Sequence, residues 1–347
     1  MSGVSKAIVQ PLLIWYDAGH RDLPWRSEPA PYRVWVSEIM LQQTRVEAVR
    51  GYFSRWMNAL PDIPALAAAD EAVYTKLWEG LGYYSRVRNL HRAAVLLCEE
   101  YGGELPADYD RLLALPGVGE YTAGAVASIA FGLPVPAVDG NVLRVAARLD
   151  NDFTPITDAK FKKQTRERFA ALMPSDRPGD LNQSLMELGA TVCLPNGAPH
   201  CDDCPIQHLC EGFHRGNAAV LPLRAAKKPR RVENRTVLVV RCGQLVGLRQ
   251  RPKKGLLAGL WELPSLDGHL SPDELRAALT KMGWSVRKLL SLRPAKHIFT
   301  HVEWHMNGVY VELDAPAPAL TFVTPAELRD AYALPSAFRS FVSVLED

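Results

Sequence analysis

Residues 1–212 carry apolar side chains at helical intervals, with Pro or Gly at nearly every junction, which predicts a domain built from helices. Between Tyr32 and Met57 the residues Trp35, Ile39, Val46, Val49, Phe53 and Trp56 recur at intervals of three, four or seven, the pattern of one long amphipathic helix. Shorter helical patterns follow at Glu71–Glu79, Arg86–Tyr101, Asp110–Leu115, Tyr121–Phe131, Val142–Asp150, Lys160–Leu172 and Leu181–Thr191. Beyond Thr236 the period falls to two. TVLVVR and QLVGLRQ flank a short Cys-Gly turn, and WHM and VYVEL flank Asn307-Gly308, a dipeptide that predicts a second hairpin. One helix, Pro272–Met282, interrupts these strands. The expected fold is therefore multidomain: an all-α half over 1–212 and a smaller α+β domain over 236–347. Residues 213–235, rich in Lys, Arg and Pro and without periodicity, read as a basic interdomain linker.

Composition changes this picture little. At 347 residues, 48% hydrophobic and 22% charged, the chain is an ordinary globular protein of two domains. No apolar run is long enough to span a membrane, and the first residues lack a signal-peptide pattern, so a cytoplasmic location is expected. The net charge of +2 does not select a partner; a nucleic-acid binder with this balance needs a local basic face.

The cysteines change it more. Cys193, Cys201, Cys204 and Cys210 lie within CLPNGAPHCDDCPIQHLC, close enough to enclose one metal centre. A disulfide framework competes, but Cys98 and Cys242 stand far away and a chain of this length buries a core without staples. The spacing is neither that of a zinc ribbon nor that of the bacterial ferredoxin run. An iron–sulfur cluster is the leading reading, with zinc as the alternative.

Two carboxylates and one turn carry further chemistry. Glu38, in WVSEIMLQQT, sits one position off the apolar stripe, where partial desolvation favours its protonated form. Asp139, in VPAVDGNVLRV, precedes a helix, whose dipole and free N–H groups favour the ionised form. As a pair they are expected to titrate apart, giving an acid and an anion in one site. By itself, Asp139 reads more readily as an ordinary helix cap. In LPGVGEYTA, Gly117 and Gly119 allow a tight turn ahead of a helix N-terminus, suited to a phosphate.

Taken together, the cysteine cluster, LPGVGEYTA, the downstream Asp139 and SEIMLQQT resemble the helix-hairpin-helix, endonuclease III superfamily of DNA glycosylases, and within it the MutY family of adenine DNA glycosylases. The resemblance covers almost the whole chain. It implies a helix-hairpin-helix at about 108–131, a structural 4Fe–4S loop at 193–210, and a C-terminal domain resembling a Nudix fold. It implies a monofunctional enzyme, because Tyr121 stands where bifunctional members carry a Lys nucleophile. The implied substrate is adenine opposite 8-oxoguanine or guanine in double-stranded DNA, flipped from the duplex. Glu38 and Asp139 are implied as the catalytic pair, with Tyr121 and Asn141 polarising the site. Trp25, Arg26, Leu41 and Glu187 match the adenine pocket; Gln43 and Tyr83 match residues that wedge into DNA; Phe299, Thr300 and His301 match the loop that reads 8-oxoguanine.

Departures from the family pattern carry their own expectations. The first cysteine gap holds seven residues instead of six and contains no Lys or Arg, which predicts weaker DNA contact there. Thr300 replaces the usual Ser. The Arg-Glu-x-x-Glu-Glu metal-binding run of Nudix hydrolases is replaced by ELRAALTKMGW, so the C-terminal domain is expected to read a lesion and to hydrolyse nothing. A monomer without membrane association is expected. The competing readings are a lyase-active pyrimidine glycosylase and a non-catalytic lesion binder.

Overall fold

The computed structural model describes residues 5–224 and 229–345. In chain order the helices are α1 (Val9–Gly19), α2 (Pro31–Leu41), α3 (Val46–Ala59), α4 (Ile63–Ala67), α5 (Glu71–Leu77), α6 (Ser85–Tyr101), α7 (Tyr109–Leu113) and α8 (Glu120–Phe131). They continue with α9 (Gly140–Leu149), α10 (Ala159–Ala170), α11 (Pro178–Thr191), α12 (Glu211–His214), α13 (Pro272–Lys281), α14 (Pro325–Asp330) and α15 (Arg339–Val342). The strands are β1 (Arg231–Cys242), β2 (Leu245–Gln250), β3 (Trp261–Glu262), β4 (Ser265–Asp267), β5 (Val286–Ser291), β6 (Ala295–Ile298), β7 (Val302–Leu313) and β8 (Thr321–Val323).

Contacts divide the described residues into two units, 5–68 with 85–224 and 69–84 with 229–345. The first is helical. Val142, Val145, Ala146 and Leu149 form the buried stripe of α9, and pack with Leu181, Leu185 and Leu188 of α11 and Leu12 of α1. Each such side chain contributes about 1.5–3 kcal/mol by leaving water. Cys193, Cys204 and Cys210 pack on the edge of this cluster.

The single helix expected between Tyr32 and Met57 is two, because the chain turns between Leu41 and Val46. Gln43 there has φ 58°, and Thr44 N–H bonds back to Leu41 O. The apolar spacing survives because α2 and α3 both face the interior, so periodicity could not reveal the break. In the hairpin, Asp108 caps α7 by accepting from Arg111 N at 2.9 Å. Gly117 has φ 78°, and a Cβ there would fall 2.5 Å from Cβ of Asn89. Gly119 has ordinary backbone angles and open space around it; it is the N-cap of α8.

The expected linker is structured at both ends. Leu221 is buried and accepts from Arg148 Nε, Ile156 N bonds Leu223 O, and β1 already begins at Arg231. Residues 225–228 of that stretch lie outside the described residues. The segment 69–84 departs from the expected division, in which the helical half is continuous. Its Lys76 Nζ donates to Tyr332 O at 3.2 Å, and Glu79 accepts from Leu334 N at 2.7 Å.

The second unit is built on a mixed sheet of order β3-β2-β1-β7-β5, with β4 on β1, β6 on β7 and β8 on β2. Val237 and Val239 face a cluster with Phe338 and Phe341, while Leu238 and Val240 face Leu275, Leu279 and Trp284. Both faces are covered, which explains the unbroken apolar run of β1. The β1–β2 hairpin forms as expected, with Cys242 opposite Leu245. The hairpin expected at Asn307-Gly308 does not exist. β7 runs straight through it, parallel to β1, with Asn307 opposite Thr236 and Gly308 opposite Val237. Gly308 serves packing instead: a Cβ there would fall 2.4 Å from the Phe341 ring.

Candidate functional site

A cavity of about 480 Å³ opens in the first unit, within the size range of small-molecule pockets. Trp25, Arg26, Glu38, Leu41, Gln43, Tyr121, Asp139, Asn141 and Glu187 all line it, brought from α2, α8, α9, α11 and the loops beside them. Among the described residues, the cavity walls include no Lys.

Glu38 lies on the inner face of α2 and is 5% exposed. Burial pushes its pKa up to about 7. The Tyr121 hydroxyl donates to its Oε2 at 2.5 Å and pulls the other way, Asp139 adds to the rise, and Arg26 opposes it. Tyr121 itself is pushed well above its ordinary value by burial and by the neighbouring carboxylates, so it remains a donor.

Asp139 is the N-cap of α9. Its Oδ1 accepts from the backbone N–H groups of Asn141 and Val142, both at 2.8 Å, and its Oδ2 from Asn141 Nδ2 at 2.7 Å. These bonds and the Arg144 charge favour the anion, as the sequence suggested. Enclosure of the carboxyl group nevertheless outweighs them, and its pKa is raised. The expectation that Asp139 is held low is therefore corrected. A cap position offers N–H donors, but sequence spacing does not reveal how little water reaches the group.

The carboxylate held low is Glu187. Burial alone would raise it, but hydrogen bonds from Arg21 and Arg26 hold it at about 2. Arg21 Nε and Nη2 donate to its two oxygens at 2.7 and 2.9 Å, and Arg26 Nη2 donates at 2.8 Å. Glu38, at about 7, and Glu187, at about 2, are thus two carboxylates set far apart in one cavity. The sequence reading passed over Arg21; its only signal is its place in HRDLPWR, five residues before Arg26.

Cys193, Cys201, Cys204 and Cys210 line one small apolar cavity bounded by Val145, Leu149, Leu188 and Ile206. Among the described residues no group of three or more His, Cys, Asp or Glu is placed to hold a single metal ion. The donor set fits a thiolate-bound group. Arg148 Nη1 lies 3.1 Å from Cys193 Sγ, and backbone N–H groups point at Cys204 and Cys210. Burial pushes the Cys204 thiol up to about 12. Arg144, one turn before Arg148, donates to Cys193 O at 2.8 Å, to Gly189 O at 2.6 Å and to Asn141 Oδ1 at 2.8 Å. Two arginines four residues apart in the apolar helix VLRVAARL, both buried, are the sequence signal of this support, which the periodicity alone does not reveal.

Tyr83, Phe299, Thr300 and His301 lie in the second unit. Tyr83 is exposed with φ 45°, and its hydroxyl shares a hydrogen with Thr300 Oγ1 at 2.6 Å. Phe299 packs edge-on against buried Trp304 with centroids 4.9 Å apart. Arg230 Nε donates to Phe299 O at 3.0 Å, and Arg231 N to His301 O at 3.1 Å. The basic stretch after the first unit thus holds the backbone of this turn.

Residues 36–172 match the HhH-GPD superfamily base excision DNA repair protein family, and residues 236–344 match the NUDIX domain family. The adenine DNA glycosylase of Mus musculus is 38% identical over an alignment spanning 97% of this chain and 77% of its own. The chain belongs to the adenine DNA glycosylase family. The enzyme of that name from Mycolicibacterium smegmatis is 41% identical over 66% of this chain and 79% of its own. The solved structure of a thermostable thymine-DNA glycosylase superposes at a TM-score of 0.54 with 27% identity, covering 60% of this chain and 96% of that one. An endonuclease III–DNA complex shares the fold at a TM-score of 0.51 and 24% identity. This glycosylase therefore joins a helix-hairpin-helix half to a Nudix-like domain. In the latter, Glu274 of α13 is committed to a capping box, accepting from Ser271 N and Oγ.

Proposed function

We propose that this base-excision glycosylase hydrolyses the bond between adenine N9 and deoxyribose C1′ when adenine lies opposite 8-oxoguanine or guanine in double-stranded DNA. The observation that carries the reading is Glu38, buried, hydrogen-bonded to Tyr121 and titrating near neutrality, in one cavity with Asp139. Such a group holds a proton at neutral pH and releases it to a base nitrogen.

The flipped adenine enters between Trp25, Leu41 and Glu187. Glu38 transfers its proton to N7, and the C1′–N9 bond breaks with its electron pair going to the base. Asp139, its oxygens held by N–H donors of Asn141 and Val142, faces the cationic sugar as the stabilising carboxylate. Water adds to C1′ as ionised Glu38 takes its proton. Adenine leaves neutral and Glu38 is protonated again. The place of Tyr121 in the cavity wall, where bifunctional members carry a Lys, supports a monofunctional reaction.

On the DNA, Gln43 of the first unit and Tyr83 of the second wedge into the duplex, the N–H groups after Gly117 and Gly119 hold a phosphate, and Phe299, Thr300 and His301 read the opposing base. The four cysteines would hold a structural 4Fe–4S cluster, which would supply the positive charge their thiolates need and fix the loop 193–210.

The test is single-turnover release of free adenine from duplexes with adenine opposite 8-oxoguanine, guanine or thymine, without alkali. Release confined to the first two, with the strand intact and lost in Glu38→Gln without loss of binding, supports the reading. Immediate strand cleavage points to a lyase, and tight binding with no release to a lesion binder.

A further inference from the structure

The turn that presents Gln43 has an internal support that none of the site roles above includes. Arg86, at the start of α6, is buried, and its Nη1 lies 2.8 Å from Ile39 O, 3.0 Å from Met40 O and 2.6 Å from Gln42 O. Its Nη2 reaches Thr44 Oγ1 at 3.4 Å. Ile39 and Met40 belong to the last turn of α2, whose carbonyls have no intrahelical donor. No glycine closes this helix. Its C-cap is Gln42, followed by Gln43 at φ 58°, a left-handed conformation that costs free energy in any residue with a Cβ. A non-glycine residue stays there only where its surroundings over-determine the backbone. Arg86 supplies that restraint from the protein side. On the other flank, Gln42 Nε2 donates to Thr122 Oγ1 at 3.2 Å, next to Tyr121.

We propose that Arg86 is a positioning residue for base extrusion: its guanidinium closes the Glu38-bearing helix and holds Gln43 in the left-handed turn that enters the duplex. The inference rests on the wedge role proposed for Gln43. A guanidinium suits the task because Nη1 meets the three carbonyls while Nη2 reaches Thr44 Oγ1, whereas an ammonium is a single point. Arg86 touches no reacting atom. The groups acting on the Glu38 proton are Tyr121, Asp139 and Arg26, so removing Arg86 should spare the protonation step and impair delivery of the base.

The experiment uses the full-length protein and a duplex with 2-aminopurine opposite 8-oxoguanine, whose fluorescence rises on unstacking, beside single-turnover adenine release across pH. Arg86→Gln is expected to lower the extrusion equilibrium about tenfold, the loss of a charge-assisted hydrogen-bond set. Adenine release should fall in parallel with an unchanged pH midpoint, and Arg86→Lys should recover part of both. Adding Gln43→Ala to Arg86→Gln should cost little more, because both act through one turn. Normal extrusion in folded Arg86→Gln overturns the proposal, as does a displaced pH midpoint or full additivity with Gln43→Ala. If Arg86→Gln fails to fold, Arg86→Lys decides: wild-type extrusion in that variant overturns the proposal. Failure of the wild-type protein to extrude or release the base would instead sink the proposed function.

Discussion

The hydroxyl of Tyr121 donates to Glu38 at 2.5 Å inside a pocket where burial has raised the carboxyl to about 7. The bond favours the ionised form, so Tyr121 restrains a shift that burial would carry further. Tyr121→Phe is therefore expected to move the alkaline midpoint of single-turnover adenine release upward from near 7. A downward movement would mean that Tyr121 stabilises the acid.

Glu38 also makes stability fall with pH. Its folded pKa lies above the unfolded value of 4.5, so the native state binds its proton more tightly, and stability falls as pH rises from about 4.5 to about 7. The penalty at pH 8 is on the order of 3 kcal/mol. Glu38→Gln should raise Tm by several degrees at pH 8, with little change at pH 4.5, while abolishing adenine release. Equal Tm shifts at both pH values would show that the carboxylate is not desolvated as the structure implies.

Glu187 has the opposite sign. Held at about 2 by Arg21 and Arg26, it contributes stability above the unfolded pKa of 4.5 that is lost as pH falls through the folded value. Removing one partner of a buried ion pair leaves the other unpaired, so Glu187→Ala should destabilise by about 3–5 kcal/mol. Arg21 is partly exposed, and Arg21→Ala should cost much less, because Arg26 still meets Glu187. Thermal melts of the two variants at pH 7 test the order, and a larger loss in Arg21→Ala would contradict it.

What could be read from the chain follows the range of the interactions. Glu38 was found because Val34 and Leu41 flank it on its own helix, and Asp139 because a cap is a local device. The Arg21–Glu187 pair joins residues 166 positions apart, and no local pattern announces it. The break at Gln43 was hidden because Trp35 and Ile39 of α2 and Val49, Phe53 and Trp56 of α3, all buried, keep helical spacing across it. Asn307-Gly308 misled for a different reason. The dipeptide is a turn signal only where no neighbour needs the space, and here Phe341 occupies the place of a side chain beside a strand paired on both sides.

Tyr83 and Thr300 share a hydrogen bond of 2.6 Å between an exposed residue at φ 45° and the turn proposed to read the lesion. Breaking one neutral hydrogen bond costs about 0.5–1.5 kcal/mol. Tyr83→Phe should thus lower the preference for adenine opposite 8-oxoguanine over adenine opposite guanine by roughly threefold to tenfold. Thr300→Ser keeps the hydroxyl and should retain the preference, whereas Thr300→Val should lose it. Competition between the two duplexes reads both, and loss of preference in Thr300→Ser would place the effect in the methyl group.

The cysteine loop offers a test of cofactor and of fold together. Arg148 donates to Cys193 Sγ and to Leu194 O and Leu221 O, so the loop and the segment beyond it are tied to α9 through one side chain. Removing the cluster proposed for this loop would leave four sulfurs and the buried Arg148 without a centre. Purified protein should contain about four irons per chain and absorb near 400 nm if the group is a 4Fe–4S cluster; one zinc per chain would replace that reading. Cys204→Ser should lose the colour and expose residues 194–224 to protease, while the second unit keeps its own core. DNA binding should fall with the colour, because the loop then has no fixed shape. Retention of wild-type protease resistance in the colourless variant would show that the loop is held by its protein contacts alone.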